Sequence, residues 1–437
     1  MTAGQASVLS VDRWRIVAML AAAALAVPVS AAAAPAHEAS AAPRNTAARN
    51  ATTVPCPRPK VAPPPNRPPR PVPPKSDPVL RAVGGEALAT DGLVVPAGAR
   101  KPPAVTATSW MVADLDSGEV LGGCGPHVHG TPASVQKLLL VATVMRKLDA
   151  NRVARITDAD LAIEPGSSAV GLLPGGRYSV RTLWLGLLLN SGNDAANALA
   201  RLGGGAEGLP GTVAAMNAEA KRLGAFQTHA VTPSGLDGPG QFTSAYDLAL
   251  IARECFDIPA FRRYALTERT RIPAQPSKKA AGFEIQNENK LIYNYPGALG
   301  GKTGFTTLAR HSYVGAAQRG GRRLVVTLLG AEANPQRGWE QGASLLDWGF
   351  ALRRGASVGA LVSPEGAAVA GPPGGASTAA TAPRPRPVPA AARDVPERAM
   401  PVPVAAVVAV LVAAAPVLLV TSMRRRRLRR RVRRWQG

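Results

Sequence analysis

The stretch Thr131-Pro132-Ala133-Ser134-Val135-Gln136-Lys137, followed at once by the apolar run Leu138 to Met145, decides how the chain is read. A proline ahead of an unbroken hydrophobic run predicts a buried helix whose first turn carries Ser134 and Lys137. Residues three apart share a helical face, so the hydroxyl and the amine can meet. A serine hydroxyl is a weak nucleophile until a base takes its proton, and a lysine serves as that base when burial or nearby positive charge lowers its pKa. The partial positive charge of a helix N-terminus favours the developing alkoxide. The plainer reading is a buried helix with an exposed lysine, and Ser-x-x-Lys alone does not choose between them.

Outward from this helix, Val105 to Leu115 and Glu119 to Gly122, joined by Asp116-Ser117-Gly118, read as a hairpin. Residues 138 to 270 read mainly as helices with loops. Ser312 to Ala317 and Arg323 to Gly330, separated by Gly320-Gly321, form a second predicted hairpin, and Gln336 to Leu352 a closing helix. Strands at both ends of a helical middle imply an α/β fold: an antiparallel sheet assembled from non-contiguous pieces, flanked by helices, with a helical subdomain beside it. A cleft between two lobes follows from that order.

The 437 residues carry a net charge of +23, unevenly placed. Residues 1–103 contribute +7, 104–350 only +4, and 351–437 +12. The globular middle is thus nearly neutral, and the high charge does not mark it as a nucleic-acid binder. Cys56, Cys124 and Cys255 are scattered and odd in number, which excludes a disulfide-dense scaffold and a Cys-x-x-Cys site. A single Cys124 to Cys255 bridge is left open. His127 and His129 lack further ligands for zinc, and neither His-Glu-x-x-His nor Gly-x-Ser-x-Gly occurs.

Residues 1–34 have the layout of a secretory signal peptide: Arg13 and Arg15, the apolar stretch Ile16 to Val27, then small residues to Ala34. No lipobox precedes Cys56. Residues 35–103 are rich in proline, as in Pro68-Pro69-Arg70-Pro71, and are expected to be a disordered spacer. The folded domain is expected over 104–352, and a low-complexity stalk over 353–400. Within 401–422, Val402 to Val420 is uncharged and would be about 28 Å long as a helix, close to the roughly 30 Å of a bilayer core. Nine arginines between Arg424 and Arg434 mark the tail 423–437 as cytoplasmic by the positive-inside rule. Signal and span together predict a single-pass membrane protein with its folded domain outside the cell.

Two further motifs give Ser134 and Lys137 their meaning. Ser191-Gly192-Asn193 follows the apolar run Leu187-Leu188-Leu189, and Lys302-Thr303-Gly304-Phe305 precedes the last hairpin. Ser-x-x-Lys, Ser-x-Asn and Lys-Thr-Gly in this order and spacing resemble the penicillin-binding protein and serine β-lactamase superfamily. Within it the chain is most similar to the D-alanyl-D-alanine carboxypeptidases of peptidase family S11. Gly166-Ser167-Ser168, Asp194-Ala195-Ala196, Ser234-Gly235-Leu236-Asp237 and Asn287-Glu288-Asn289-Lys290-Leu291 resemble that family's flanking sequence. The likeness covers about residues 104 to 350.

The resemblance implies a transpeptidase-like fold and a division of labour among these residues. Ser134 would be the nucleophile, Lys137 its base, and Ser191 a proton relay. Asn193 would hold the substrate amide and orient Lys137, Lys302 would help keep Lys137 neutral and steer the substrate carboxylate, and Thr303 would hydrogen-bond that carboxylate. Gly304 would let the substrate approach, and the N–H groups of Ser134 and Phe305 would cradle the oxyanion. Implied partners are a peptidoglycan stem peptide ending in D-Ala-D-Ala, β-lactam antibiotics as inhibitors, and membrane lipid around the C-terminal helix; neither nucleic acid nor any metal or organic cofactor is implied. Two departures stand out: relatives often carry a polar group after Lys-Thr-Gly where Phe305 stands, and the best-known members have a β-rich second domain in place of this chain's stalk.

Two alternatives remain at this level. A β-lactamase of the same fold would use a glutamate after Ser-x-Asn, yet residues 220 to 245 contain none. A catalytically idle wall-binding scaffold would not need every chemical residue, and all are present.

Overall fold

The two predicted hairpins meet in one antiparallel sheet. The computed structural model describes residues 53–61 and 68–366. The predicted signal peptide, most of the stalk, the apolar span and the Arg-rich tail lie outside those residues.

Ahead of the sheet, α1 (Pro78–Arg81) and β1 (Leu93–Val94) belong to the proline-rich region. The first hairpin is β2 (Ser109–Asp114) and β3 (Glu119–Cys124). Next, α2 (Lys137–Val144) leads to β4 (Val153–Arg155), β5 (Arg177–Ser179), α3 (Val180–Leu189), α4 (Asn193–Gly203) and α5 (Gly208–Leu223). Then come α6 (Ala245–Phe256), α7 (Pro259–Ala265), the ribbon β6 (Arg269–Ile272) and β7 (Phe283–Gln286), and α8 (Leu291–Asn294). The chain returns to the sheet through β8 (Ala298–Thr306), β9 (Arg310–Arg319) and β10 (Arg322–Ala331), closes with α9 (Gly338–Phe350), and adds β11 (Gly359–Ala360). The sheet order is β1-β3-β2-β10-β9-β8, with β11 also on β3. Both expected hairpins and the closing helix are therefore present, and β10 pairing with β2 joins strands from opposite ends of the domain.

Apolar residues cover both faces of the sheet. On one face Met111, Ala113, Val325 and Val314 pack with α2 and the helical lobe. On the other, Trp110, Val112, Leu324 and Val326 pack beneath α9, where Trp110 and Trp348 meet edge to face with centroids 6.0 Å apart. Every residue of α2 is buried, Lys137 included, so this helix is the axis of the helical lobe. It is preceded by a 3-10 turn, Ala133–Gln136, in place of the α-helical first turn expected there. In a 3-10 turn residues i and i+3 eclipse, which stacks Lys137 directly over Ser134.

The spacer expected over 35–103 is corrected where the structure describes it. Residues 53–61 and 68–103 lie against the domain: the Leu93 amide donates to Val54 O at 2.8 Å, and the Arg58 guanidinium reaches the carbonyls of Thr106, Ala107 and Thr108. The indole of Trp348 donates to Arg100 O at 2.7 Å, and Leu88 is fully buried. Proline removes backbone donors but leaves carbonyls, so such a chain packs when the domain supplies partners. Cys56 forms a disulfide with Cys124 across 68 residues, so the Cys124 to Cys255 pairing does not occur. Cys255 is buried in α6, its thiol directed at Leu138 O. The start of the stalk also shifts, because β11 pairs with β3 and Tyr246 donates to Ala360 O at 2.9 Å.

Candidate active site

The 3-10 turn, the α3–α4 corner and strand β8 converge on one cleft of about 710 Å³. Ser134, Ser191, Asn193, Thr303, Gly304 and Phe305 line it, while Lys137 and Lys302 lie buried under its floor. The structure thus gathers all eight residues singled out from the sequence.

Lys137 Nζ has three oxygen neighbours: Ser134 Oγ at 2.7 Å, Asn193 Oδ1 at 2.7 Å and Ser234 O at 2.9 Å. Burial first, and the positive field of Lys302 second, hold its pKa well below the ordinary lysine value, against a smaller pull from Asp194 and Glu288. A neutral amine has two N–H donors and one lone pair. Asn193 and Ser234 take the donors, which leaves the lone pair for the Ser134 hydroxyl. Burial also lowers the pKa of Lys302, to about 8, with Glu288 opposing the shift.

Two backbone positions at this site depart from ordinary geometry. Ala133 has φ +50° and Ser191 φ +65°, left-handed values that non-glycine residues adopt at a cost of about 1–3 kcal/mol each. The first aims Ser134 out of its turn, and the second turns the chain between α3 and α4. Gly192 has φ −54° and stands as the N-cap of α4, so the turn at this corner is made by Ser191 and not by the glycine. Ser191 Oγ is buried with no hydrogen-bond partner among the described residues, an orphaned hydroxyl facing the cleft.

Strand β8 is the terminal strand of the sheet order, so its outer edge is not paired within that sheet. A Cβ on Gly304 would lie 2.8 Å from Ser134 N and 2.4 Å from Ser312 Oγ, so only glycine lets the strand approach Ser134 this closely. Phe305 is half exposed, its ring 4.7 Å from that of His311 and beneath the Arg310 guanidinium.

Several contributors were quoted from the sequence only as flanks. Ser234 contributes a carbonyl to Lys137, and Asp237 ties its loop to β8 by accepting from Thr306 Oγ1 at 2.6 Å. Asp194, buried, accepts from the amides of Val170, Gly171 and Leu172 at 2.9–3.0 Å. That carboxylate pins the loop whose residues Glu164 to Ser168 form a cleft wall. The motif Ser-Gly-Asn-Asp announced the corner; nothing in it announced which amides Asp194 would meet. His127 has a structural place, bonded to Gln227 and Val83 O and against the Tyr246 ring.

An antiparallel sheet flanked by helices, with this cleft at its edge strand, is the fold of the penicillin-binding DD-peptidases. The crystal structure of a D-alanyl-D-alanine carboxypeptidase from Mycobacterium tuberculosis H37Rv superimposes with a TM-score of 0.57 at 45% identity, over 61% of this chain and 100% of that one. The Streptomyces K15 DD-transpeptidase does so with a TM-score of 0.55 at 26% identity, over 58% of this chain and all of the other. In sequence, the carboxypeptidase DacB2 of M. tuberculosis is 46% identical over 276 residues, 62% of this chain and 91% of that protein. The model of the D-alanyl-D-alanine carboxypeptidase family, peptidase S11, matches residues 97–333, and the chain belongs to that family.

Proposed function

We propose that the protein is a membrane-anchored serine D-Ala-D-Ala carboxypeptidase that trims peptidoglycan stem peptides outside the cell. The observation that carries the reading is the contact of Lys137 Nζ with Ser134 Oγ at 2.7 Å, with both amine donors occupied elsewhere. Lys137 takes the hydroxyl proton as Ser134 Oγ attacks the carbonyl carbon of the penultimate D-alanine. The oxyanion of the tetrahedral intermediate sits between the N–H groups of Ser134 and Phe305, each such donor contributing about 3 kcal/mol. Collapse breaks the C–N bond, and the departing nitrogen receives its proton through Ser191. A water, deprotonated by Lys137, then attacks the ester and restores Ser134. Thr303 receives the terminal carboxylate in the positive field of the buried Lys302, Asn193 holds both the substrate amide and Lys137, and the free edge of β8 lets the peptide lie alongside as an added strand.

Anchoring and outward placement rest on the sequence features at 1–34, 401–422 and 423–437. The test uses full-length protein with a fluorescent penicillin and a peptide ending in D-Ala-D-Ala, with Ser134→Ala beside it. A lasting adduct and D-alanine release in the wild type, both absent in the variant, are expected. An adduct that is shed rapidly with drug hydrolysis would replace this reading with a β-lactamase, and no adduct or release at all would replace it with a scaffold.

A further inference from the structure

The helical lobe carries a second concavity, of about 670 Å³, that shares no lining residue with the cleft. Its walls include Arg152, Arg155, Asp158, Gly175, Arg201 and Lys278. In the β4–β5 ribbon Ala154 and Tyr178 face inward and are buried, which puts Arg155 and Arg177, directly opposite one another, on the outer face. Like charges in register across a ribbon are unfavourable. The buried Gln275 side chain brackets Arg177, accepting from its amide at 2.8 Å and donating to its carbonyl at 3.0 Å, and so fixes the turn that brings Lys278 to the same place.

Arg155 and Lys278 converge on Gly175. A Cβ there would lie 3.3 Å from Lys278 Nζ and 3.5 Å from Arg155 Nη2, so the two charges stand within about 7 Å of each other. Gly175 has φ +70° and leaves the space between them open. Arg201 is neutralised by Asp160 through two bonds of 2.7 and 2.8 Å. Among the described residues Arg152, Arg155, Arg177 and Lys278 form no ion pair, and Asp158 at the rim pairs with none of them. Arg152, Arg155, Arg177 and Lys278 are all exposed, so the trough presents unneutralised positive charge where an oxyanion in solution can reach it.

We propose that this trough binds the phosphate groups of a linear, phosphate-rich polyanion. Guanidinium groups grip phosphate with paired N–H donors, and an ammonium adds a point charge. The concave shape favours a chain of phosphates running along the trough over a flat lipid surface. Such a site would hold the enzyme on an anionic polymer without occupying the cleft.

Full-length protein titrated with long-chain inorganic polyphosphate should bind with an affinity that falls as salt rises. The double reversal Arg155→Glu/Lys278→Glu should weaken binding about tenfold or more, and the conservative pair Arg155→Lys/Lys278→Arg less than about threefold. Arg100→Glu/Lys101→Glu, an equal reversal at exposed positions outside the trough, should change it less than about twofold. D-Alanine release from a soluble peptide should be the same in all four proteins, which also reports that they fold. Equal weakening by both reversals would overturn the proposal in favour of diffuse charge. Intact polyphosphate binding with lost attachment to phosphatidylglycerol vesicles, but not to phosphatidylcholine vesicles, would overturn it in favour of a lipid surface.

Discussion

The two faces of the sheet are built to different rules. Beneath α9 the packing is conventional: Trp110, Val112, Leu324, Leu345 and Trp348 interlock, and the Cys56–Cys124 disulfide ties the proline-rich strap to the same side. On the opposite face, where the helical lobe packs, the seam at the 3-10 turn holds two buried amines, two left-handed non-glycine residues and an orphaned hydroxyl. Each of these is unfavourable for folding alone, and in the proposed mechanism they serve the nucleophile and its base. The contrast teaches that one face of this sheet stabilises and that the other spends stability on chemistry.

The contrast is broken most directly at Lys137. Lys137→Met, which keeps the buried volume, should lower kcat/KM for a D-Ala-D-Ala peptide by about 10³-fold or more, as loss of a general base does, while the melting temperature changes little because an apolar chain of similar size fills the site. A large fall in melting temperature would mean that the seam is structural after all. Trp348→Ala is the mirror test: a loss of about 3–5 kcal/mol in denaturant unfolding with kcat/KM nearly unchanged at low temperature. Parallel loss of activity and stability there would erase the distinction between the faces.

Asp194→Asn probes the link between corner and wall. An amide has one acceptor oxygen where the carboxylate has two, so one or more of the Val170, Gly171 and Leu172 bonds fails. KM should rise about tenfold with a smaller change in kcat. The negative charge of Asp194 also raises the pKa of Lys137, so its removal should move the acid limb of the pH profile to lower pH. Lys137 works as the neutral amine, and a lower pKa extends that form downward. A purely structural role would raise KM and leave the limb in place.

The smallest effect is expected at Lys302. Its pKa of about 8 means that the charge awaiting the substrate carboxylate is present below that value and lost above it, so kcat/KM of the free enzyme should fall as pH rises through about 8. Lys302→Arg keeps its charge to far higher pH and should displace that limb upward, with a loss of roughly two- to fivefold at neutral pH from the altered fit. An unmoved alkaline limb would assign it to another group.

Much of the fold was legible because its signals are local. The turn residues Asp116-Ser117-Gly118 and Gly320-Gly321 marked both hairpins, and the apolar run after Lys137 marked the buried helix. The three motifs and the residue after the last located Ser134, Ser191, Asn193, Thr303, Gly304 and Phe305 in the cleft lining, with Lys137 and Lys302 beneath it. What misled was composition. The dense prolines before Ala104 read as a spacer, yet Leu88, Cys56 and Arg58 anchor that segment through partners far along the chain. The Cys56–Cys124 pairing, across 68 residues, was not foreseen.

Residue types and spacing set a serine and a lysine on one helical face, since helical periodicity acts over a few residues, and the resemblance to a known family supplied their companions. Types and spacing could not say that Lys137 would be fully buried, that Ser234 would give it a carbonyl, or that Asp194 would meet three amides. Burial, field and convergence depend on which distant segments share a space, and those contacts exist only once the sheet has closed β10 against β2.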